Sequence, residues 1–391
     1  MTILPAAQRF RAARRVVIKL GSAQIVDKEG VANAPVLAAI AADIAALVKE
    51  GKQVVIVSSG AVALGRNALG LPSGVLKLEE KQAAAAAGQT RLMRAWEDAL
   101  SAHSAPVAQA LLTIDDTEIR RRWLNARATL NTLIDAGAIP IVNENDTVAT
   151  EEIRYGDNDR LAARVAQMIG ADILVLLSDI DGLYSADPRK DMSAHHIPVV
   201  EDLSADIMAM GGSANAVAGM GSGGMATKLE AARIALTAGC STVIAMGREE
   251  NGTGPISTMI NGGLCTWFVS NISPETARRQ WLSGNLNPSG VITIDDGAVK
   301  ALLSGKSLLH AGVTQVTGRF ERGDAIEIRA SDDKIVARGI SAYSNDDAQR
   351  IMGRQSADIE AVLGYKGRPA LIHRDDLVLI AAQPTLTTIE D

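Results

Sequence analysis

Val16-Val17-Ile18-Lys19-Leu20-Gly21-Ser22 is a short aliphatic run that ends in a cation, a glycine and a small hydroxyl residue. The run does not alternate apolar with polar residues. A strand buried on both faces reads this way, as in a parallel sheet covered by helices. Four further runs share the character: Val54-Val55-Ile56-Val57, Ile139-Pro140-Ile141-Val142, Ile173 to Leu177 and Thr242 to Met246. Helical patterns separate them. Asn33 and Pro35 read as an N-cap and an early helical proline. Leu37, Ile40, Ala41, Ile44, Leu47 and Val48 then fall on one face, and Gly51 ends the helix. Residues 79–102, 117–136, 159–169 and 226–238 read as further helices, the last three closed by Gly137, Gly170 and Gly239. The β-α-β-α alternation predicts an α/β protein, a three-layer α/β/α sandwich around a mainly parallel sheet.

After about residue 280 the segments shorten. Val313 to Val316, Ala325 to Ile328 and Lys334 to Ile340 read as strands, with turns at Arg322-Gly323-Asp324 and Ser331-Asp332-Asp333 and one short helix, Gly297 to Leu303, before them. The expected organisation is a main domain over 1–270, a linker over 271–285, a small β-rich domain over 286–366 and a C-terminal tail over 367–391.

Composition narrows the function. The chain has 391 residues, 47% of them hydrophobic but only 3% aromatic, and a net charge of −6. That apolar fraction excludes a disordered chain, and the absence of a run of about 18 apolar residues excludes a membrane span. The first residues lack the apolar core of a secretory signal, so the expected location is cytoplasmic. Two cysteines, Cys240 and Cys265, make neither a disulfide framework nor a zinc site, and no metal ligands are predicted. The chemistry therefore falls to Lys, Asp, Asn, Ser and backbone amides.

In open α/β sheets, ligands bind beyond the carboxyl ends of the strands. The runs are followed by Lys19-Leu20-Gly21-Ser22, Ser58-Ser59-Gly60-Ala61, Asn143-Glu144-Asn145-Asp146 and Ser178-Asp179-Ile180-Asp181-Gly182. One such ending is an ordinary loop; four together predict a polar rim around one site. Lys19 alone reads as a surface cation, but beside Gly21-Ser22, whose amides admit an anion closely, it reads as a phosphate contact. Ser59-Gly60-Ala61 stands at a strand-to-helix junction, where free N–H groups face an anion. The stretch lacks the Gly-x-Ser-x-Gly of a hydrolase elbow. Gly156-Asp157-Asn158-Asp159 precedes a helix and holds more acidic and amide groups than a cap requires. Gly221-Ser222-Gly223-Gly224-Met225-Ala226-Thr227-Lys228 is a glycine loop leading into a helix. It matches neither a dinucleotide fingerprint, which would follow a strand directly, nor a P-loop, yet it suits phosphate at a helix N-terminus. Two lysines, two glycine-lined anion sites and an acid–amide pocket, without a nucleophile–base pair, fit phosphoryl transfer.

These motifs occur in the order seen in amino acid kinases, and the chain resembles that family over about residues 14–247. Asn143-Glu144-Asn145-Asp146 with Gly156-Asp157-Asn158-Asp159 is similar to its glutamate-phosphorylating branch. Residues from about 286 to 366 resemble a PUA domain. The resemblance implies ATP- and Mg²⁺-dependent phosphorylation of the L-glutamate side chain, opening proline biosynthesis, with proline as feedback inhibitor and a homo-oligomeric dimer or tetramer. It implies that Lys19 and Lys228 neutralise the phosphoryl group and that Asp159 holds both lysines. Ser59, Asp146 and Asn158 would bind glutamate, supported by Asn143 and Asp157. Ser178, Asp179 and the loop Ser222, Gly223, Gly224, Met225, Ala226, Thr227, Lys228 would hold ATP, with Gly21 and Gly60 amides on the phosphoryl group. Two alternatives stay open: an acetylglutamate, aspartate or carbamate kinase, and a non-catalytic RNA-associated regulator. Residues 281–391 carry 12 Lys and Arg against 15 Asp and Glu, a net of −3, which argues against tight RNA binding by the second domain.

Overall fold

All five aliphatic runs form strands. The computed structural model describes residues 6–148, 158–212, 224–248, 252–284 and 288–380. The chain divides into two compact units, Met1–Glu275 and Thr276–Asp391.

The first unit holds β1 (Arg15–Leu20), β2 (Gln53–Ser58), β3 (Val107–Leu112), β4 (Ile139–Glu144), β5 (Ile173–Ser178), β6 (Leu183–Tyr184), β7 (His196–Ile197), β8 (Val199–Val200), β9 (Ser241–Met246) and β10 (Cys265–Phe268). Eight of them make one sheet in the order β3-β4-β2-β1-β5-β9-β10-β8, while β6 and β7 form a small hairpin. All pairings in the large sheet are parallel except β9 with β10. The chain fills one side of β1 with β2, β3 and β4 before crossing to the other with β5. That reversal opens the crevice at the carboxyl end of β1 in which open α/β sheets bind ligands.

Successive side chains leave a strand on opposite faces, and the two faces bury separate cores. Val16, Ile18, Leu20, Val54, Ile56, Ile139 and Ile141 pack with the helices Ala34–Lys49 and Leu78–Ser101. Val17, Val55, Val57, Val142, Leu174 and Leu176 pack with the helices Arg120–Asp135, Asn158–Ile169 and Met225–Thr237. This is the three-layer sandwich with a mainly parallel sheet that the runs predict.

The differences lie at the margins. The helix expected over 117–136 is two helices, Ile114–Glu118 and Arg120–Asp135, because Ile119 between them is extended. Thr113 and Asp116 cap each other at the start of the first, so a separate turn of helix begins there. Val48, expected on the buried face of its helix, is exposed at the last turn. Asn33 accepts from Val36 N–H at the start of that helix, and Gly51 beyond its end has φ +83°, as a helix stop requires.

The second unit holds β11 (Gly290–Ile294), β12 (Val313–Gly318), β13 (Ala325–Arg329), β14 (Ile335–Ile340) and β15 (Leu377–Leu379), in the sheet order β12-β11-β13-β14-β15. Ile292, Ile294, Ile326, Ile328, Tyr343, Ile351 and Ile372 fill its core. Two stretches carry more structure than their composition suggests. The expected linker 271–285 contains the helix Pro274–Gly284, opened by proline and Glu275. In the expected tail, Leu371 and Ile372 are buried and β15 pairs with β14.

One close approach in the first unit joins two helices backbone to backbone. The helices Ala61–Ala68 and Leu78–Ser101 cross with Gly65 and Gly88 against each other's backbone. A Cβ on Gly88 would fall inside the van der Waals sphere of the Ala61 carbonyl oxygen, and one on Gly65 inside that of Ala84. Exchanging glycine for alanine within a helix ordinarily stabilises by about 1 kcal/mol. Here overpacking against backbone reverses the sign, and Gly88→Ala is expected to destabilise the protein by about 1–3 kcal/mol. The midpoint of urea unfolding measures it, and a gain in stability would contradict this packing.

Candidate active site

Strand parity decides which side chains meet. Lys19 lies two residues after Val17 and so shares the face on which Val17 packs against the helix Asn158–Ile169. Asp159, at the start of that helix, is fully buried. Lys19 Nζ stands 2.5 Å from Asp159 Oδ1. Lys228, in the first turn of the helix Met225–Thr237, stands 3.1 Å from Asp159 Oδ2. The Thr227 hydroxyl lies 3.1 Å from the same oxygen and 2.8 Å from the Gly224 carbonyl. One carboxylate thus holds two ammonium groups, both nearly buried. Burial alone would raise the Asp159 pKa, but the charges of Lys19 and Lys228 outweigh it and keep the carboxyl below its usual range. Its stabilising effect is therefore complete above the ordinary Asp range near pH 3.9 and is lost only as the pH falls through the depressed value.

A second group lies beside the first. Ser59 follows Val57 by two residues, faces the same layer as Lys19, and accepts a 2.7 Å hydrogen bond from Asn158 Nδ2. Asn143 follows Ile141 by two residues, on the opposite parity. It stands at the carboxyl edge of the sheet and reaches both layers. Its Oδ1 accepts from Asn158 Nδ2 at 2.9 Å, and its Nδ2 donates to Gln89 Oε1 at 2.9 Å. Gln89 comes from the helix Leu78–Ser101 and is absent from the sequence-based set. The neighbouring Ser58 is also buried and accepts from Trp96 Nε1 at 2.9 Å, which anchors the end of β2 to the same helix.

The remaining residues take the following places. Gly60 precedes the helix Ala61–Ala68 with φ +107°, a left-handed conformation packed against Ile25 and Val26. Gly21 precedes the helix Ser22–Ile25 in an extended conformation. Ser178 ends β5 and donates to Asp179 Oδ1 at 3.1 Å, while Asp179 pairs with Arg189 at 3.5 Å on the surface. These two stand apart from the Asp159 cluster in their hydrogen bonding. Gly224 caps the helix that carries Met225, Ala226, Thr227 and Lys228. Asp146 begins a short 3₁₀ turn after β4. Burial pushes its carboxyl up to about 6, against the opposing pull of Lys81. Asp157, Ser222 and Gly223 lie outside the described residues.

The site thus has a compact cationic centre and an adjoining chain of amides at the carboxyl edge of a doubly covered sheet. Comparison with known proteins fits this arrangement. The model of the amino acid kinase family matches residues 14–246, and that of the PUA domain matches residues 290–363. The chain belongs to the amino acid kinase family. It is 56% identical over 369 residues to the glutamate 5-kinase of Paramagnetospirillum magneticum, covering 94% of this chain and 98% of that one. It is 57% identical over 371 residues to the glutamate 5-kinase of Caulobacter vibrioides, covering 95% and 97%. Among solved structures, a carbamate kinase from Giardia lamblia bound to AMP-PNP is similar at a TM-score of 0.46 and 16% identity, covering 67% of this chain and 100% of that one.

The bridge across Asp159 has a direct energetic consequence. Asp159→Asn leaves two buried ammonium groups facing each other, at an expected cost of about 3–5 kcal/mol in stability. Adding Lys228→Met should recover part of that loss. Unfolding midpoints of the single and double variants test this, and an Asn variant as stable as the parent would remove the bridge from the energetics.

Proposed function

We propose that this protein transfers the γ-phosphoryl group of ATP to the side-chain carboxylate of L-glutamate, giving L-glutamyl 5-phosphate and ADP. This is the opening step of proline biosynthesis. The observation that carries the reading is the pair of lysines converging on Asp159. The glutamate 5-kinases that match nearly the whole chain supply the substrate.

The chemistry asks for little beyond this equipment. The glutamate side chain has a reference pKa of about 4.3 and is already ionised at neutral pH, so no general base is required. The barrier is the approach of one anion to a polyanion. Lys19 and Lys228 offset that repulsion, and Asp159 fixes both ammonium groups before the substrates arrive. Backbone amides at Gly21 and Gly60 donate to the transferring group. Ser59, Asn143 and Asn158 hold glutamate, together with Asp146 on its ammonium and Asp157 in support. Ser178, Asp179 and the loop from Ser222 to Lys228 hold ATP.

Among the described residues no cluster of three His, Cys, Asp or Glu side chains stands ready for a metal. The Gln24 Oε1 atom, close beside Gly21, is buried without a hydrogen-bond partner among the described residues, and an amide oxygen suits Mg²⁺. Gln24 would help to hold Mg²⁺ through that oxygen, and the ion would supply charge neutralisation for the ATP phosphates. We further propose that proline inhibits the enzyme, that it works in the cytoplasm as a homo-oligomer, and that the PUA domain serves regulation or assembly. The net charge of −3 over residues 281–391, from 12 Lys and Arg against 15 Asp and Glu, speaks against an RNA platform.

Two measurements test the reading. With ATP, Mg²⁺ and hydroxylamine, the protein should form glutamyl hydroxamate from L-glutamate. Turnover of acetylglutamate or aspartate in place of glutamate would refute the substrate. Calorimetric binding of L-glutamate should also weaken as Asp146 takes up a proton near pH 6, by roughly tenfold per pH unit below that value. Asp146→Asn should bind weakly at every pH; a pH-dependent loss that survives in this variant would place the titrating group elsewhere.

A further inference from the structure

The amides of the chain beside the lysines are matched head to tail. Asn158 Nδ2 donates to both Ser59 Oγ and Asn143 Oδ1. Asn143 must therefore turn its Nδ2 outward, where it meets Gln89 Oε1. Reversing the Gln89 amide would set one NH₂ group against another. The chain consequently ends in two free groups of opposite kind: Gln89 Nε2, a donor, and Asn158 Oδ1, an acceptor. Both atoms are buried without a hydrogen-bond partner among the described residues, in residues only 9% and 7% exposed. A buried amide group left unmatched carries a desolvation penalty that a complementary ligand group removes. Two such groups at the ends of one ordered chain, next to the cationic centre, fit a ligand that carries both an acceptor and a donor.

A free amino acid carries that pair. Its carboxylate only accepts hydrogen bonds and its ammonium only donates them. On the reading that L-glutamate is the substrate, the reacting side-chain carboxylate belongs with Lys19 and Lys228. The α-carboxylate is then the acceptor left for the far end of the chain. We propose that Gln89 is a specificity-determining residue whose Nε2 donates to the α-carboxylate of glutamate, while Asn158 Oδ1 accepts from the α-ammonium. Asn143 sets the orientation of both amides, so one hydrogen-bonded chain reads both main-chain groups of the substrate.

The test exchanges donor for acceptor on each partner in turn. Gln89→Glu keeps the size of the side chain and the oxygen that receives Asn143 Nδ2, but replaces the free donor with an acceptor. L-Isoglutamine keeps the reacting carboxylate of glutamate and replaces its α-carboxylate with an amide that can donate. Affinities of both ligands are read by calorimetry and kcat/KM by ADP release. The parent should prefer L-glutamate. In Gln89→Glu the affinity for L-glutamate should fall by about tenfold to a hundredfold, as expected for a lost hydrogen bond to a charged group. L-Isoglutamine should be largely retained, and the KM for ATP should stay unchanged. Parallel losses for both ligands would make Gln89 a mere support for Asn143 and overturn the proposal, as would unchanged affinities. Gln89→Met provides a second variant that removes the donor without adding charge, and it should bring the preference between the two ligands toward unity. A parent protein that binds neither ligand would refute the substrate itself, a result separate from any change in the ratio.

Discussion

A carboxylate without solvent, held between two ammonium groups, is the constraint around which the first unit is organised. Asp159 brings together the carboxyl end of β1, the start of the helix Asn158–Ile169 and the first turn of the helix Met225–Thr237. Buried ion pairs are poor sources of net stability, because desolvation offsets most of the attraction. Their value here is positional. Three charged groups sum to one positive charge, kept in a place that water scarcely reaches. In such surroundings a fixed charge acts on an arriving anion more strongly than it would at the surface. The protein as a whole is acidic, with a net charge of −6, so attraction of an anionic substrate is a local matter of two side chains.

The sheet supplies the geometry that the bridge requires. On β1 and β2, the residues that continue the Val17 and Val57 parity are Lys19 and Ser59, and both meet the helix Asn158–Ile169. On β4 the edge residue Asn143 has the opposite parity and meets Gln89 in the other layer. The cationic centre therefore draws on one layer, whereas the amide chain runs through the sheet edge from one layer to the other. The close crossing at Gly65 and Gly88 connects the helix after Gly60 with the helix that carries Gln89. A displacement of either helix reaches both Gly60 and the far end of the amide chain.

Much of this was legible in the sequence, for physical reasons. The central strands are buried on both faces and so read as unbroken aliphatic runs. The strands at or near the sheet margins lack that signature: β3 is mostly half-buried, β8 has only two residues, and β10 begins with the half-buried Cys265. Lys19, Asp159 and Lys228 stood out singly, as charges at the ends of elements. Their convergence on Asp159 was implied only by the family resemblance and by nothing in the local sequence, because Asp159 and Lys228 lie 69 residues apart and only the packed layers bring them together. Gln89 gave almost no signal, since it sits in an alanine-rich helix and its meaning depends on Asn143 from a distant strand. In the second unit, the short helix Asn345–Ile351 depends on a Ser344 cap in a polar stretch that resembles a loop.

The alternation along β1 has one more implication. Lys19 meets Asp159 because it stands two positions, an even step, from Val17, whose face is fixed by packing. A single residue inserted between them would turn the ammonium toward the aliphatic layer of Leu37 and Ile40. The spacing within this strand is consequently as tightly specified as the lysine. Exchanging the aliphatic residues of β1 for one another keeps this placement, whereas changing their number does not.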